Sequence, residues 1–195
     1  RGFKRVAYCG YDFIQSSPEL GRRLAIYAKA SDLEFYVYGQ PKSKTQRLWE
    51  NEQVVLTDWL KNLPKPIAIL AFNDDRGREI TEVCRISGIH VPEEIAVLGI
   101  SNLEMVCAMA DPPLSSIKVN GERAGYEAAS LLNKLMCGEN VPPQTIIVHA
   151  LHVVTRQSTD ILAIEDCDVA SAVSYIRQNC RTMLRVDDIV NATRL

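Results

Sequence analysis

The sequence has no surplus of positive charge, no cysteines at metal-binding spacing, no long apolar run and no glycine-rich phosphate loop. Each lack removes a class of function. Lys and Arg number 22 against 24 Asp and Glu, a formal net charge of -2. Residues that grip nucleic acid need a basic surplus to neutralise phosphates, so DNA contact is not expected of this chain itself. The 6 cysteines, at positions 9, 84, 107, 137, 167 and 180, include no CxxC pair, and most lie in apolar runs such as Val6-Ala7-Tyr8-Cys9. That pattern predicts reduced, buried thiols rather than a disulfide framework or a zinc site. No apolar run approaches the roughly 18 residues that read as a membrane span, and the opening residues do not read as a signal peptide. A cytoplasmic chain with no membrane partner is expected. The phosphate-cradling patterns GxGxxG and GxxxxGKS/T are absent, which leaves no reason to expect a nucleotide or any other cofactor.

Catalytic constellations are equally thin. Gly99-Ile100-Ser101-Asn102-Leu103 resembles a nucleophile elbow, but Leu103 stands where the strained turn needs its second glycine. His149 and His152 are three apart on an expected strand, which turns them to opposite faces, and no third ligand is near in sequence. His90 sits in a loop before Pro92. The expectation is a binding protein, not an enzyme, with no catalytic residue and no metal site.

What is present is a pattern. Hydrophobic residues make up 47% and charged residues 24%, which suits a packed domain. Helical and strand periodicities alternate, predicting an α/β fold with a mostly parallel sheet flanked by helices. Strands are expected over 5–9, 35–38, 67–72 and 95–100. Ser17-Pro18-Glu19 reads as a helix start with Ser17 as hydroxyl N-cap, followed by a stripe of Leu20, Leu24 and Tyr27. A second helix is expected over 47–63, with Val55, Leu56, Trp59, Leu60 and Leu63 on one face, and a third carries Ile80, Val83 and Cys84 with Gly88 as its C′ residue. Residues 102–116 read as irregular, 122–137 as an amphipathic helix, and 145–149 as a last strand extending toward Val154. From Asp160 the character changes: Asp166-x-Asp168 precedes a stripe of Val169, Ala172, Val173, Ile176 and Cys180 outside the alternation. The division expected is a domain over 1–159 and a short helical appendage over 160–195, with the boundary between Ser158 and Glu165. Starting at Arg1 without Met and ending at Leu195 within a helical pattern, the sequence reads as a fragment.

In a parallel sheet, ligand sites lie beyond the carboxyl ends of the strands, where loops and helix N-termini converge. The residues to read there are Gly10-Tyr11-Asp12, Asn73-Asp74-Asp75-Arg76 and Ser101-Asn102. A carboxylate beside amides and an Arg suits a neutral polyhydroxylated ligand, because Asp accepts from two adjacent hydroxyls. Helix capping accounts for one of Asn73 and Asp74, but one cap does not require three such residues in a row. Arg22 and Arg23 lie on the first helix, where a solvated face alone would explain them.

Several of these segments also carry a family likeness. Residues 67–74 (IAILAFND), 88–100 (GIHVPEEIAVLGI), 112–117 (PPLSSI), the helix start Arg123-Ala124-Gly125 and 153–159 (VVTRQST) follow in characteristic order and spacing. Over about residues 4–159 the chain resembles the lac-repressor/periplasmic-binding-protein sensor family. Residues 159–181 and Val186-Asp187-Asp188-Ile189 resemble the entry to an AraC-type helix-turn-helix domain. A sensor of the first kind joined to a reader of the second resembles the arrangement of xylose operon regulators. The resemblance implies a type I periplasmic-binding-protein-like sheet in a two-lobed sensor that closes around a sugar, a pentose and first of all xylose. It implies a homodimer in the full-length protein, and operator DNA held by a domain beyond residue 195. It also implies that this chain is mainly the second lobe, with the first lobe largely absent and helix 122–137 without its usual packing partner. Residue by residue, Asp74 matches the family's sugar-binding acid, with Asn73 beside it. Arg22 or Arg23 matches a ligand-binding Arg on the first helix. Ser101 and Asn102 fall in the family's Gly-Tyr/Ile-Asp-Asp/Asn motif, with Ser101 where Asp is usual. Two other classes compete: an extracytoplasmic transport receptor of the same fold, against which unpaired cysteines count, and an α/β enzyme acting on sugars.

Overall fold

The computed structural model describes residues 3–43, 48–161, 169, 172–173, 175–176, 179–180 and 182–193. The chain divides into two compact units, Phe3–Asp160 and Ile161–Leu195. The first holds β1 (Arg5–Cys9), α1 (Ser16–Ala30), β2 (Glu34–Val37), α2 (Trp49–Asn62), β3 (Ile67–Ala71), α3 (Asp74–Ile86), β4 (Ile95–Ile100), α4 (Glu104–Met109), β5 (Ser115–Lys118), α5 (Gly121–Met136) and β6 (His152–Val154). Six strands form one sheet in the order β2-β1-β3-β4-β5-β6. All neighbours are parallel except β5 and β6. The chain leaves β1 in one direction to reach β2, then crosses back to β3, so the winding reverses between β1 and β3. That reversal opens a crevice at the carboxyl ends of those two strands.

Alternation along the strands decides the core. Ala7 and Cys9 of β1, Ile67 and Ile69 of β3 and Val97 of β4 share one buried cluster with Leu56 and Leu60 of α2 and Ile80 and Val83 of α3. Trp59 packs edge-on against Tyr38 at 5.2 Å, as a core aromatic. Truncating a fully buried member such as Ile80 to Ala would cost about 2–5 kcal/mol. Gly88 follows α3 at φ +69, the left-handed geometry expected of its C′ residue.

Four local expectations differ. Ser17 is not the cap of α1: Gln15 holds that place without a side-chain bond, and Ser17 is buried, pairing with the Tyr8 hydroxyl at 2.9 Å. The buried residues are accordingly Ser17, Gly21 and Ala28, with Tyr27 exposed; Tyr8 packs under Ser17 and Gly21, where a larger side chain at Gly21 would collide with its ring. Residues 102–116 are not irregular throughout, since they contain α4 and the start of β5. β5 escapes a hydropathy pattern because hydroxyls bury it: Ser115 Oγ donates to the Arg156 carbonyl at 2.9 Å, and Ser158 Oγ donates to that of Val97 at 2.7 Å. The last strand is His152–Val154 alone, and residues 139–150 carry no regular structure.

α5 forms as a helix but buries no residue, so its apolar stripe, with Leu132 and Leu135 more than half exposed, is uncovered within this unit. The thiols divide. Cys9, Cys84 and Cys107 are buried as expected, whereas Cys137 and Cys180 are exposed. In the second unit, α6 (Val186–Thr193) begins with Asp187 and Asp188 in its first turn. There the Arg185 N–H donates to Asp188 Oδ2 at 2.9 Å, a favourable placement at the positive helix end. Asp166 and Asp168, expected just ahead of a preceding helix, lie outside the described residues.

Candidate ligand site at the strand ends

The β3–α3 junction places Asn73 at the helix cap, where its Oδ1 accepts the Arg76 N–H at 2.9 Å. Capping therefore explains Asn73. Asp74 follows and is fully buried. Its Oδ2 accepts the Leu103 N–H at 2.7 Å, and its Oδ1 accepts the Ser116 hydroxyl at 2.5 Å. Gly99 makes room for it, because a Cβ there would collide with Asp74 Oδ1. The expected sugar acid thus offers no surface in this arrangement. Its carboxylate is a bracket under the β4–α4 loop.

That loop needs a bracket. Ser101 has φ 113 and Asn102 φ 56, and only the second is a conformation that Asn adopts readily. Four hydrogen bonds hold the turn: Ser101 N–H to the Ile117 carbonyl (2.9 Å), Asn102 N–H to Ser116 Oγ (3.0 Å), Leu103 N–H to Asp74, and Arg156 Nη1 to Asn102 Oδ1 (2.9 Å). Ser101 and Asn102 stay partly exposed at the rim.

The two candidate arginines separate. Both ion-pair with Glu19 from the exposed face of α1, at 74% and 76% side-chain exposure. Such solvated pairs contribute little and are readily broken. Arg22 lines a hollow of about 220 Å³ together with Gly10, Asp12, Pro18, Phe35 and Tyr38, and Arg23 is not among its walls.

Sequence reasoning named Arg76 at the strand ends but missed its burial and its partners. Arg76 is fully buried, with Nη2 on Glu52 Oε1 at 2.6 Å and Nη1 on Glu79 Oε2 at 2.7 Å. The guanidinium also lies 5.0 Å from the Tyr11 ring and 5.1 Å from that of Tyr38. Gln40 Nε2 donates to Glu52 at 2.9 Å, and Gln40 and Asp12 exchange bonds: Asp12 N–H to Gln40 Oε1 at 2.9 Å, Gln40 N–H to Asp12 Oδ2 at 3.1 Å. One cation therefore ties together the loops after β1, β2 and β3. A signal existed, since a cation in the first turn of a helix opposes the macrodipole and needs a reason. Glu52 and Glu79 carried none, being indistinguishable in sequence from charges on a solvated face. Burial, then the charge of Glu79, pushes the Tyr11 hydroxyl well above its ordinary value. Among the described residues no group of three or more His, Cys, Asp or Glu is placed to hold a metal ion.

Residues 1–159 match the family described as periplasmic binding protein-like domain. The chain belongs to that family. Among family members, the xylose operon regulatory protein of Escherichia coli is 38% identical over 144 residues, covering 74% of this chain and 37% of the relative. The protein of the same description from Haemophilus influenzae is 36% identical over 143 residues, 73% of this chain and 37% of the relative. A solved xylose-binding transcription activator, xylR, superposes with a TM-score of 0.77 at 32% identity, covering 100% of this chain and 52% of that one. A regulator from Alkaliphilus metalliredigens solved with D-xylulofuranose shares the fold at a TM-score of 0.66 and 21% identity, over 81% of this chain and 57% of that one. The chain spans 37% of the length of those curated relatives. No helix among the described residues is long and apolar enough to cross a membrane.

Proposed function

We propose that this chain is the effector-binding region of a sugar-responsive transcription regulator, taking a neutral pentose, first of all xylose, and leaving it chemically unchanged. One observation carries the proposal most. The strand ends carry the amides of Asn73 and Asn102, the hydroxyl of Ser101 and the ring of Tyr11, with the buried Arg76 paired to two carboxylates, in a chain 38% identical to a xylose operon regulatory protein. Asn73, Ser101 and Asn102 supply hydrogen bonds from the rim, and Arg22 reaches in from α1. Asp74 contributes by fixing the loop that presents Ser101 and Asn102.

The periplasmic-binding-protein-like unit over 1–159 acts as the second lobe of a two-lobed sensor, and residues 160–195 lead into an AraC-type reader that holds operator DNA beyond residue 195. The whole regulator works in the cytoplasm as a homodimer. Sugar favours the closed form by its differential affinity for the two states, which is what biases the reader. Isothermal titration calorimetry with D-xylose tests the proposal. Saturable heat with an unaltered sugar recovered afterwards is expected; absence of heat from xylose and related pentoses at millimolar concentration, or conversion of the sugar, overturns it.

A further inference from the structure

Arg156 meets the rim of the candidate site with its side chain and the end of the first unit with its backbone. We propose that Arg156 couples the two. It aims the Asn102 amide at the sugar, and it carries occupancy of the β4–α4 loop to residues 156–160, where the chain leaves for the second unit. The inference rests on the sugar-binding proposal above and adds the regulation of that same site.

The aim follows from donor chemistry. A guanidinium only donates, so the Asn102 atom that Arg156 Nη1 meets at 2.9 Å is the carbonyl oxygen. That contact fixes which way the amide is turned and leaves both Nδ2 hydrogens for a ligand. Asn102 is thereby a donor toward sugar oxygens. The same Nη1 donates to the Leu114 carbonyl at 2.9 Å, which anchors the guanidinium at the entry to β5. Ser101 is held beside it at φ 113, a conformation that a serine keeps only while its surroundings impose it. The loop therefore has a relaxed alternative, and whatever holds Asn102 biases the balance between the two.

The route to the exit is a chain of hydroxyl bonds. The β5–β6 ladder ends where Val154 pairs with Ser116. Beyond it the Arg156 N–H donates to Ser115 Oγ at 2.7 Å, and Ser115 Oγ donates back to the Arg156 carbonyl at 2.9 Å. Thr159 Oγ1 donates to the same Ser115 oxygen at 2.7 Å. The Ser115 N–H donates to Ser158 Oγ at 2.8 Å, and that hydroxyl donates to the Val97 carbonyl. Ser115 and Ser158 are fully buried. On this footing Gln157–Thr159 form one turn of 3-10 helix, and the unit ends at Asp160.

A strand ladder yields only by unfolding. Hydroxyls that both donate and accept can re-pair when the backbone of Arg156 shifts. The contiguous bonds give a physical path from loop to exit. Coupling of this kind is reciprocal: sugar that holds Asn102 steadies the exit, and a steadied exit raises the affinity for sugar.

The test follows amide hydrogen exchange at Ser158, Thr159 and Asp160 in the 195-residue chain, without and with saturating D-xylose, in wild type and Arg156→Met. All three amides donate hydrogen bonds within the unit, so their protection is measurable. In wild type, xylose should slow their exchange by about fivefold or more. Arg156→Met should bind xylose about tenfold more weakly in calorimetry, because Asn102 loses its aim, and at saturation its exit amides should not respond. A merely structural Arg156 would leave that response intact, and an intact response in Arg156→Met overturns the coupling. So does unchanged exchange in wild type with xylose bound. Asn102→Asp keeps the acceptor for Arg156 and loses both donors, so it should bind xylose about tenfold more weakly; wild-type affinity there overturns the aim. Should Arg156→Met fail to fold, wild-type exchange and the Asn102→Asp affinity decide. If wild type binds no pentose, the sugar-binding proposal itself fails and takes the coupling with it.

Discussion

The Leu103 N–H donates to Asp74 Oδ2 at 2.7 Å, joining the turn before α4 to the first residue of α3. The other oxygen of the same carboxylate takes the Ser116 hydroxyl, so one buried acid fixes both a strained loop and the strand beside it. Under the proposed function its role is indirect, fixing the loop that carries Ser101 and Asn102.

Removing that bracket exposes the cost. Asp74→Ala leaves the Leu103 N–H and the Ser116 hydroxyl without their partner, and the loss should be about 2–3 kcal/mol. Urea unfolding followed by circular dichroism measures it. A change below half a kcal/mol, within the scatter usual for surface substitutions, would show that the loop stands without Asp74.

Arg76 and Glu52 make a stronger case for damage, because both are buried. Arg76→Met strands the carboxylate of Glu52 in the interior, which costs about 3–5 kcal/mol. Adding Glu52→Gln to Arg76→Met removes the stranded charge and should recover part of that loss. Denaturation of the single and double variants decides the matter. Additive losses would mean that the two side chains are not coupled.

These two residues also show what a sequence can reveal. The sheet, its strand ends and the buried faces of α2 and α3 were legible because β-branched runs and helical spacing encode them directly. A cap was legible at Asn73 or Asp74, by residue type and place before a helix, but not that Asn73 is the one that caps. The burial of Asp74 was not, since its partners are 29 and 42 residues away and one of them is a backbone N–H. Glu52 and Glu79 look like surface charges until the fold brings Arg76 between them. β5 was obscured by its serines, whose hydroxyls bond internally while their composition reads as loop.

The buried thiols make stability depend on alkaline pH. Burial pushes Cys9 up to about 11 and Cys84 up to about 12, from 9.0. The folded chain therefore holds these protons more tightly than the unfolded one. Their contribution is full below about pH 9 and is lost as pH rises toward 11 and 12. Denaturant midpoints across pH 8–11 should fall, and a Cys84→Ser variant should flatten the profile. At neutral pH, mass spectrometry after brief alkylation should find Cys137 and Cys180 modified before Cys9, Cys84 and Cys107.

Arg22 and Arg23 share Glu19 but not the hollow beside β2. Arg22→Ala should weaken xylose binding about tenfold, the size of one charged hydrogen bond, while Arg23→Ala should leave it unchanged. Equal effects of the two variants in calorimetry would contradict this separation, and wild-type affinity in both would mean that neither side chain touches the sugar.

The most direct measurement is an amide NMR titration of the chain with D-xylose. Saturable shifts should be largest at the carboxyl ends of the strands, at Tyr11 to Phe13, Asn73, Ser101 and Asn102. The opposite end of the sheet, around Gly88 and His90, should stay still. Shifts centred on Gly88 and His90, or none at any xylose concentration, would contradict the placement of a sugar at this rim.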